Sequence, residues 1–245
     1  MVGDELTLSK IGIITFHSAY NYGSVLQAFA TQTFIKKLGS ENEIINYRLD
    51  EQRRVYSNLR FNYGYKEFIK DLSLLPIYGR RNIRKEKFET FLFENIDASD
   101  ICRTPEDVRK IWDKYPTIIS GSDQIWNKHS LELEHIDWNF MDPYLLKGYH
   151  GKKISYASSI ANMNDWEIKR ILPEINDFAL LSMREETSAK KVSNYLKRNV
   201  ISVLDPTFLL TKEEWIQTLH LNRDNKKFIL FLVGFVLVYF AHTII

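Results

Sequence analysis

Short apolar segments rich in β-branched and aromatic residues recur along the chain, and most lead through a polar or glycine-containing loop into a helical pattern. Several of these segments are apolar on successive residues, as strands covered on both faces are. This alternation predicts an α/β fold with a doubly wound, mostly parallel, Rossmann-like sheet. The predicted strands are Lys10–Phe16, Glu43–Tyr47, Thr117–Ser120, Lys153–Ala157, Phe178–Met183 and Val200–Leu204.

Three helices have boundary signals in the sequence. Ser24 is the predicted N-cap of the first helix, which Gly39 ends. A second helical pattern covers Ser188–Lys197, and Thr211 with Glu214 forms a predicted capping box for the third. Strands and helices together predict one Rossmann-like domain over residues 1–220.

A long insertion, about residues 51–115, separates the second predicted strand from the third. Its segment 53–87 holds ten Lys or Arg against three acidic residues, with aromatic residues interleaved. We expect helices here, broken near Pro76 and Gly79. Two interpretations stay open: solvated helix faces over an aromatic underside, or a surface for an acidic glycan, a lipid-linked diphosphate sugar or an anionic membrane.

The two ends of the chain differ in character. The start has no signal sequence, the single Cys102 excludes an intramolecular disulfide, and the net charge is only +2. We therefore expect a cytoplasmic domain, and no nucleic-acid partner is predicted. A basic linker, 221–227, precedes an apolar tail, 228–245, in which Leu, Ile, Val and Phe fill 13 of 18 positions. As a helix this tail would span ~27 Å, close to a bilayer core. It is a candidate membrane anchor, or the start of a second domain.

Ligands of open parallel sheets bind beyond the carboxyl ends of the strands, so four loops are candidate binding loops. In the first, residues 17–24, Gly23 permits a tight turn beside a helix N-terminus that can bind an anion, and His17 could transfer a proton. Asn21 and Gly23 are candidate substrate-binding residues. The alternative is that these two residues only make the turn.

The other three candidate loops follow later strands. Residues 120–127 place Ser122, Asp123 and Gln124 around Trp126, which suits a sugar or a small polar ligand, or else a self-bonded turn anchored by the indole. Residues 155–162 are small, and Ser158 is the candidate ligand contact there. Arg184 ends the fifth strand and suits a carboxylate or phosphate, unless a neighbouring glutamate pairs with it. We read Asp205-Pro206, after the sixth strand, mainly as a turn. The sequence has no metal-ligand spacing, no Walker loop and no G-x-G-x-x-G.

Taken in order, these loops resemble those of the polysaccharide pyruvyltransferase family. The resemblance implies the N-terminal half of a two-domain, GT-B-like fold that transfers an enolpyruvyl unit from phosphoenolpyruvate to a sugar of an exopolysaccharide or cell-wall glycan. It implies no cofactor, and it makes Arg184 the predicted contact for phosphoenolpyruvate. From residue type and position, His17 or Asp123 would carry the proton transfer. The matching stretches are Ile11–Ala30, including Leu26-Gln27-Ala28, then Ser120–Asn127, Tyr156–Ser159, Met183–Ser188 and Val203–Leu210.

The chain departs from the family pattern where the second domain would begin. Residues 226–230 resemble the first strand of that domain, and the sequence then runs apolar to its end. We expect a truncated product or a membrane-anchored one, without turnover by itself. Two other functions stay open: a GT-B glycosyltransferase that uses a nucleotide sugar, and a non-catalytic, membrane-associated remnant. The acceptor would be a glycan or a lipid-linked sugar.

Overall fold

A computed structural model describes residues 10–49 and 78–221 of the chain. Four strands form the central sheet in the order β2-β1-β3-β4, and every neighbouring pair is parallel. The α/β class and the mostly parallel sheet predicted from the sequence are therefore confirmed. The strands are β1 (Ile11–Ile14), β2 (Asn42–Ile44), β3 (Thr117–Ser120), β4 (Lys152–Ser155), and a further parallel pair, β5 (Ser182–Met183) and β6 (Ile201–Ser202).

Isolated backbone bridges add further chain segments at both edges of the sheet. A parallel bridge between Ile154 and Leu180 joins the β5–β6 pair to β4. On the opposite edge, Ala98 pairs with Ile44 and Cys102 with Tyr47, again in parallel. The end of the predicted insertion therefore returns to the sheet beside β2, where the sequence had predicted helices alone. The spatial order becomes that of a Rossmann-type sheet, in which the third segment along the chain lies at one edge.

Six α-helices lie in the described part of the chain. Two of them belong to the insertion, and two others follow β4 and β5. The helices are α1 (Tyr22–Lys37), α2 (Tyr78–Asn95), α3 (Pro105–Ile111), α4 (Asp165–Asn176), α5 (Glu186–Leu196) and α6 (Lys212–Thr218).

The predicted start of α1 was wrong by three residues. Asn21, with extended backbone, is the N-cap, and its side-chain oxygen accepts from the Gly23 amide. Ser24 lies inside the first turn and is buried. Its hydroxyl donates to Asp123, in the loop after β3, and does not cap the helix. The capping box of Thr211 and Glu214 is confirmed at α6.

The central strands are packed on both faces, as their apolar sequences predict. Ile13, Ile14 and Ile118 are completely buried, and so is Trp126 beyond the end of β3. The Trp126 indole donates to the carbonyl of Tyr144 at 2.9 Å, so the ring fixes the loop after β3 to the core. This is the anchoring role that the sequence left open for it.

The chain divides into two units after Leu209, and of the second unit the structure describes residues 210–221, which contain α6. Within residues 10–49 and 78–221, no helix has the length and apolarity needed to cross a membrane. The predicted linker beyond Leu221 and the apolar tail 228–245 lie outside the described residues, as do residues 50–77 of the insertion. The predicted domain boundary at residue 220 stays a prediction.

The Gly121→Ala substitution tests how tightly the β3 loop is packed. Gly121 has φ +130°, and an added Cβ would lie 2.0 Å from the Tyr156 carbonyl oxygen. Because backbone has to move, we expect a loss of about 2 kcal/mol or more in the free energy of unfolding, measured by chemical denaturation. Gly79→Ala, where the new Cβ meets nothing within 4 Å, should stay within about 1 kcal/mol of wild type. Equal effects at the two positions would contradict the packing.

Candidate functional site

The loops after β1 and β3 are bonded to each other at the carboxyl edge of the sheet. The Thr15 hydroxyl donates to the Ser122 carbonyl at 2.9 Å, and the Ser24 hydroxyl donates to Asp123 Oδ2 at 2.7 Å. The chain goes from β1 to β2 on one side of the sheet and from β3 to β4 on the other side, so the connections after β1 and β3 run in opposite directions. Such a reversal opens the crevice in which doubly wound sheets bind ligands.

The loops after β4 and β5 join the same edge. The Ser159 amide donates to the Asp123 carbonyl at 2.9 Å, and the Arg184 amide donates to the Ser158 carbonyl at 3.2 Å. Parallel bridges pair Ser158 with Asp123 and with Met183. The four loops that the sequence singled out therefore meet on one rim, as the carboxyl-end rule predicts.

Gln27 fastens the first two loops together from inside α1. Its side-chain amide donates to Thr15 Oγ1 at 2.8 Å and to the Ser24 carbonyl at 2.9 Å, and its oxygen accepts from the Ser122 amide at 3.3 Å. Gln27 is almost fully buried. Gln27 was not among the predicted site residues, although a polar side chain inside an apolar helical stretch is a signal for such a contact.

Asp123 stands at the centre of the rim. Its backbone has φ +79°, a left-handed conformation that is uncommon for residues other than glycine. One carboxylate oxygen accepts from Ser24, and the other accepts from the Gln124 amide at 2.8 Å and faces Arg184 at 3.8 Å. The side chain keeps about 20% of its surface exposed, so a ligand can reach it.

Arg184 is enclosed by three carboxylates. Its Nε lies 3.1 Å from Glu185, and its Nη1 lies 3.4 Å from Asp205 and 3.8 Å from Asp123. Burial opposes the charged form, but the attraction of Asp123, Glu185 and Asp205 outweighs burial and raises the pKa of Arg184. One cation thus faces three anions, and the group carries an excess of negative charge when no ligand is present.

Asp205 does more than make the predicted turn. Its Oδ1 accepts from the Thr207 amide at 3.0 Å and so caps a short 3₁₀ helix, Pro206–Phe208. Its Oδ2 reaches Arg184. This second contact was not predicted, because nothing local in Asp205-Pro206 indicates a partner 21 residues earlier in the chain.

The basic helix α2 lies beside the first loop. Arg84 Nη2 donates to the Tyr20 carbonyl at 2.9 Å, and the Lys85 ammonium lies 5.8 Å from the centre of the Tyr20 ring. The Tyr20 hydroxyl donates to Glu89 of the same helix at 2.7 Å. Part of the positive charge of the insertion is therefore placed next to the loop that begins α1.

His17 is only 1% exposed, and its neighbours lie on the β2 side of β1. The ring Nε2 is 2.9 Å from Asn46 Oδ1, an oxygen that also accepts from Arg48 at 2.7 Å. Burial, and after it the Arg48 charge, lowers the pKa of His17 to about 4. The neutral imidazole has no hydrogen bond to Asp123 or Arg184 in the part of the chain that the structure describes, and a catalytic role for it stays a prediction.

The remaining predicted contacts are bonded within the protein. The side-chain oxygen of Asn21 is taken by the Gly23 amide, and the Gln124 side-chain oxygen accepts from Asn127 at 2.9 Å. Ser122 and Ser158 are completely buried, and the Ser158 hydroxyl donates to the Ser120 carbonyl at 3.0 Å. These residues shape the rim, and their contact with a substrate stays a prediction. No group of acidic, His or Cys residues in 10–49 and 78–221 is arranged to hold a metal ion.

Fold and site together define an α/β protein with a mostly parallel sheet and a charged rim at the carboxyl edge of that sheet. A family model described as polysaccharide pyruvyl transferase matches residues 21–239, which is most of the chain and includes much of the apolar tail. The chain therefore belongs to the polysaccharide pyruvyl transferase family. No curated protein and no solved structure matches it.

The burial of His17 predicts a pH dependence of stability. Its pKa is about 4 in the folded chain and about 6.5 when unfolded, so the unfolded state binds the proton first as pH falls. The neutral ring stabilises the fold fully above the unfolded value, and this contribution decreases from about pH 6.5 down to about pH 4.

We expect wild type to lose about 2 kcal/mol more unfolding free energy between pH 7 and pH 5 than His17→Gln, which cannot titrate. Denaturant titrations of both proteins at the two pH values measure the difference. Parallel pH profiles for the two proteins would show that His17 is not buried in its neutral form.

Proposed function

We propose that this protein takes part in transferring a pyruvyl group from phosphoenolpyruvate to a sugar of an exopolysaccharide or cell-wall glycan. Family membership supports a transferase with a glycan acceptor. The observation that carries the choice of donor is the Asp123–Arg184 pair on the rim, which combines a partly exposed carboxylate with a guanidinium. A small donor with a phosphate and a carboxylate needs such a cation, and a sugar hydroxyl needs such a base.

Arg184 is the proposed anchor of the donor. A guanidinium can bind a carboxylate or phosphate through two parallel hydrogen bonds. The donor would take the place of at least one of the three carboxylates that now surround Arg184, while Asp123 stays near the reacting carbon. Glu185 and Asp205 hold the guanidinium in position until then.

The excess of negative charge around Arg184 means that further cations must act on a donor with several negative charges. Arg84 and Lys85 lie beside the first loop and extend positive charge towards the rim. In a GT-B-like architecture, a second Rossmann-like half would supply more from the other wall of the cleft. We propose this two-wall arrangement on the family resemblance.

The proposed chemistry has two steps. An acid protonates the methylene carbon of phosphoenolpyruvate, the adjacent carbon becomes cationic, and a sugar hydroxyl attacks it while a base accepts the hydroxyl proton. The phosphate then leaves this carbon, and a second hydroxyl of the sugar adds there and gives its proton to the departing phosphate, which yields a cyclic ketal. We assign Asp123 to the base, because Ser24 and Arg184 orient its two oxygens.

Calorimetry with phosphoenolpyruvate and, separately, a nucleotide sugar such as UDP-glucose tests the choice of donor. The full chain should bind phosphoenolpyruvate, with an affinity that falls as salt is added. Tighter binding of the nucleotide sugar would favour a glycosyltransferase and would refute the proposal.

Arg184→Ala should weaken phosphoenolpyruvate binding at least about tenfold, the range for a lost charge-assisted hydrogen bond of ~1.5–3 kcal/mol. Lys190→Ala is the matched control, because it removes an exposed cation of α5 that pairs only with Glu186 in the described residues. Unchanged affinity in Arg184→Ala would remove this residue from the donor site.

Asp205→Asn should have the opposite effect. The amide keeps the shape of the side chain and can still cap residues 206–208, but it removes one of the anions that compete for Arg184. We expect phosphoenolpyruvate to bind about three- to tenfold more tightly, as a change of ~1 kcal/mol in Coulomb energy gives. Asp113→Asn, in the 3₁₀ helix before β3 and so at the amino edge of the sheet, is the control. Weaker binding in Asp205→Asn would contradict the competition.

A further inference from the structure

Two tryptophans and an arginine form an exposed cluster outside the Asp123–Arg184 rim. Trp138 begins a 3₁₀ helix, Trp138–Met141, and Trp166 lies in the first turn of α4. The two indoles meet edge to face, with ring centres 6.1 Å apart. The Arg170 guanidinium lies 4.6 Å from the centre of Trp138 and 5.7 Å from that of Trp166. Trp166 is 63% exposed, so much of its indole is open to solvent.

Arg170 is held by aromatic contacts alone. In the described residues its guanidinium has no hydrogen bond and no ion pair, whereas Arg48, Arg184 and Arg198 are all hydrogen-bonded to protein oxygens. Contact with two indoles restricts the guanidinium without using any of its five N–H donors. The result is a positioned donor group with no acceptor in the described chain.

A small cavity adjoins this cluster. Its volume is about 140 Å³, and it is lined by five polar side chains, Asn139, Asp142, Lys147, Arg170 and Glu174, together with Trp138, Leu145 and Ile171. The Lys147 ammonium lies 3.7 Å from Asp142 and 3.6 Å from Glu174. Two cations and two carboxylates line the cavity, so its formal charge is balanced. Such a wall offers donors and acceptors together, and it attracts neither a polyanion nor a polycation strongly.

We propose that this cluster and cavity form a saccharide-binding site that is separate from the reaction rim. A pyranose ring has an apolar C–H face, which fits an exposed indole such as Trp166, and a rim of hydroxyls that need both donors and acceptors. Arg170 and Lys147 supply donors, and Asn139, Asp142 and Glu174 supply acceptors. Balanced charge favours a hydroxyl-rich sugar over a phosphate chain or a lipid headgroup.

The position of the site indicates which saccharide it serves. α4 follows the loop of residues 155–162 that contributes Ser158 to the rim, and Arg170 lies five residues, about 7.5 Å, along the helix from its first residue. The first turn of α4, with Trp166, therefore lies at the end of the helix that follows the rim loop, and the cavity extends along α4 as far as Glu174. The cluster is placed to hold one sugar unit of a glycan chain while another unit is modified. This identification of the glycan as the acceptor rests on the proposed function.

The test uses the full chain and an array of neutral, acetylated and acidic cell-wall and exopolysaccharide oligosaccharides. The affinity for the best glycan is then measured for variants. Trp166→Ala and Arg170→Ala should each bind at least about tenfold more weakly. Trp166→Phe, which keeps an aromatic face, should lose less. Phe93→Ala is the matched control, because Phe93 is an exposed aromatic residue of α2. Circular dichroism confirms that each variant is folded.

Arg184→Ala separates this inference from the proposed function. It should leave glycan binding unchanged while it weakens phosphoenolpyruvate binding. Glycan binding that depends on Trp166 and Arg170, without any binding of phosphoenolpyruvate, would support the saccharide site and refute the donor assignment. Absence of glycan binding, binding insensitive to both cluster variants, or binding lost in Arg184→Ala alone would overturn the saccharide site. Binding of anionic vesicles in place of glycans would also overturn it.

Discussion

The parallel pairing of β1 with β3 is the constraint on which the candidate site depends. Their register places Ile14 opposite Ser120, so both strands end at the same level and their loops leave the sheet side by side. The hydroxyl of Ser24 can then reach Asp123, 99 residues later in the chain. Gln27 fixes the same two loops from within α1. A shift of one residue in this register would move the two loops relative to each other and would separate these groups.

Charge at the rim follows from a second constraint, the placement of Arg184 at the end of β5. The guanidinium is three-quarters shielded from solvent, with 27% of the side chain exposed, and three carboxylates compensate its charge. A buried or half-buried cation needs such partners, because desolvation without them is unfavourable. The same arrangement makes the site responsive to a ligand, since an incoming anion and the resident carboxylates compete for one set of donors. Stability without ligand and affinity for ligand therefore oppose each other at this residue.

The sequence predicted the fold class and the meeting of four loops, because strand alternation and the carboxyl-end rule depend on local patterns and topology alone. It could not predict which side chains of distant segments bond to each other. Ser24 has the composition of an N-cap, yet Asn21 takes that position and Ser24 bonds to Asp123. His17 stands in a loop of small and polar residues, yet Asn46 and Arg48 enclose it. The edge pairing of Ala98 and Cys102 was missed because no long apolar run marks it.

A crystal structure of the full chain with phosphoenolpyruvate tests the central claim, that the donor binds at the Asp123–Arg184 rim. We expect density for a carboxylate or phosphate within hydrogen-bond distance of the Arg184 guanidinium, beside the end of β1 and β3. The contact of 3.4 Å between Arg184 and Asp205 should lengthen as the ligand takes its place. Density at another place on the domain, with Arg184 still bound to its three carboxylates, would contradict the account.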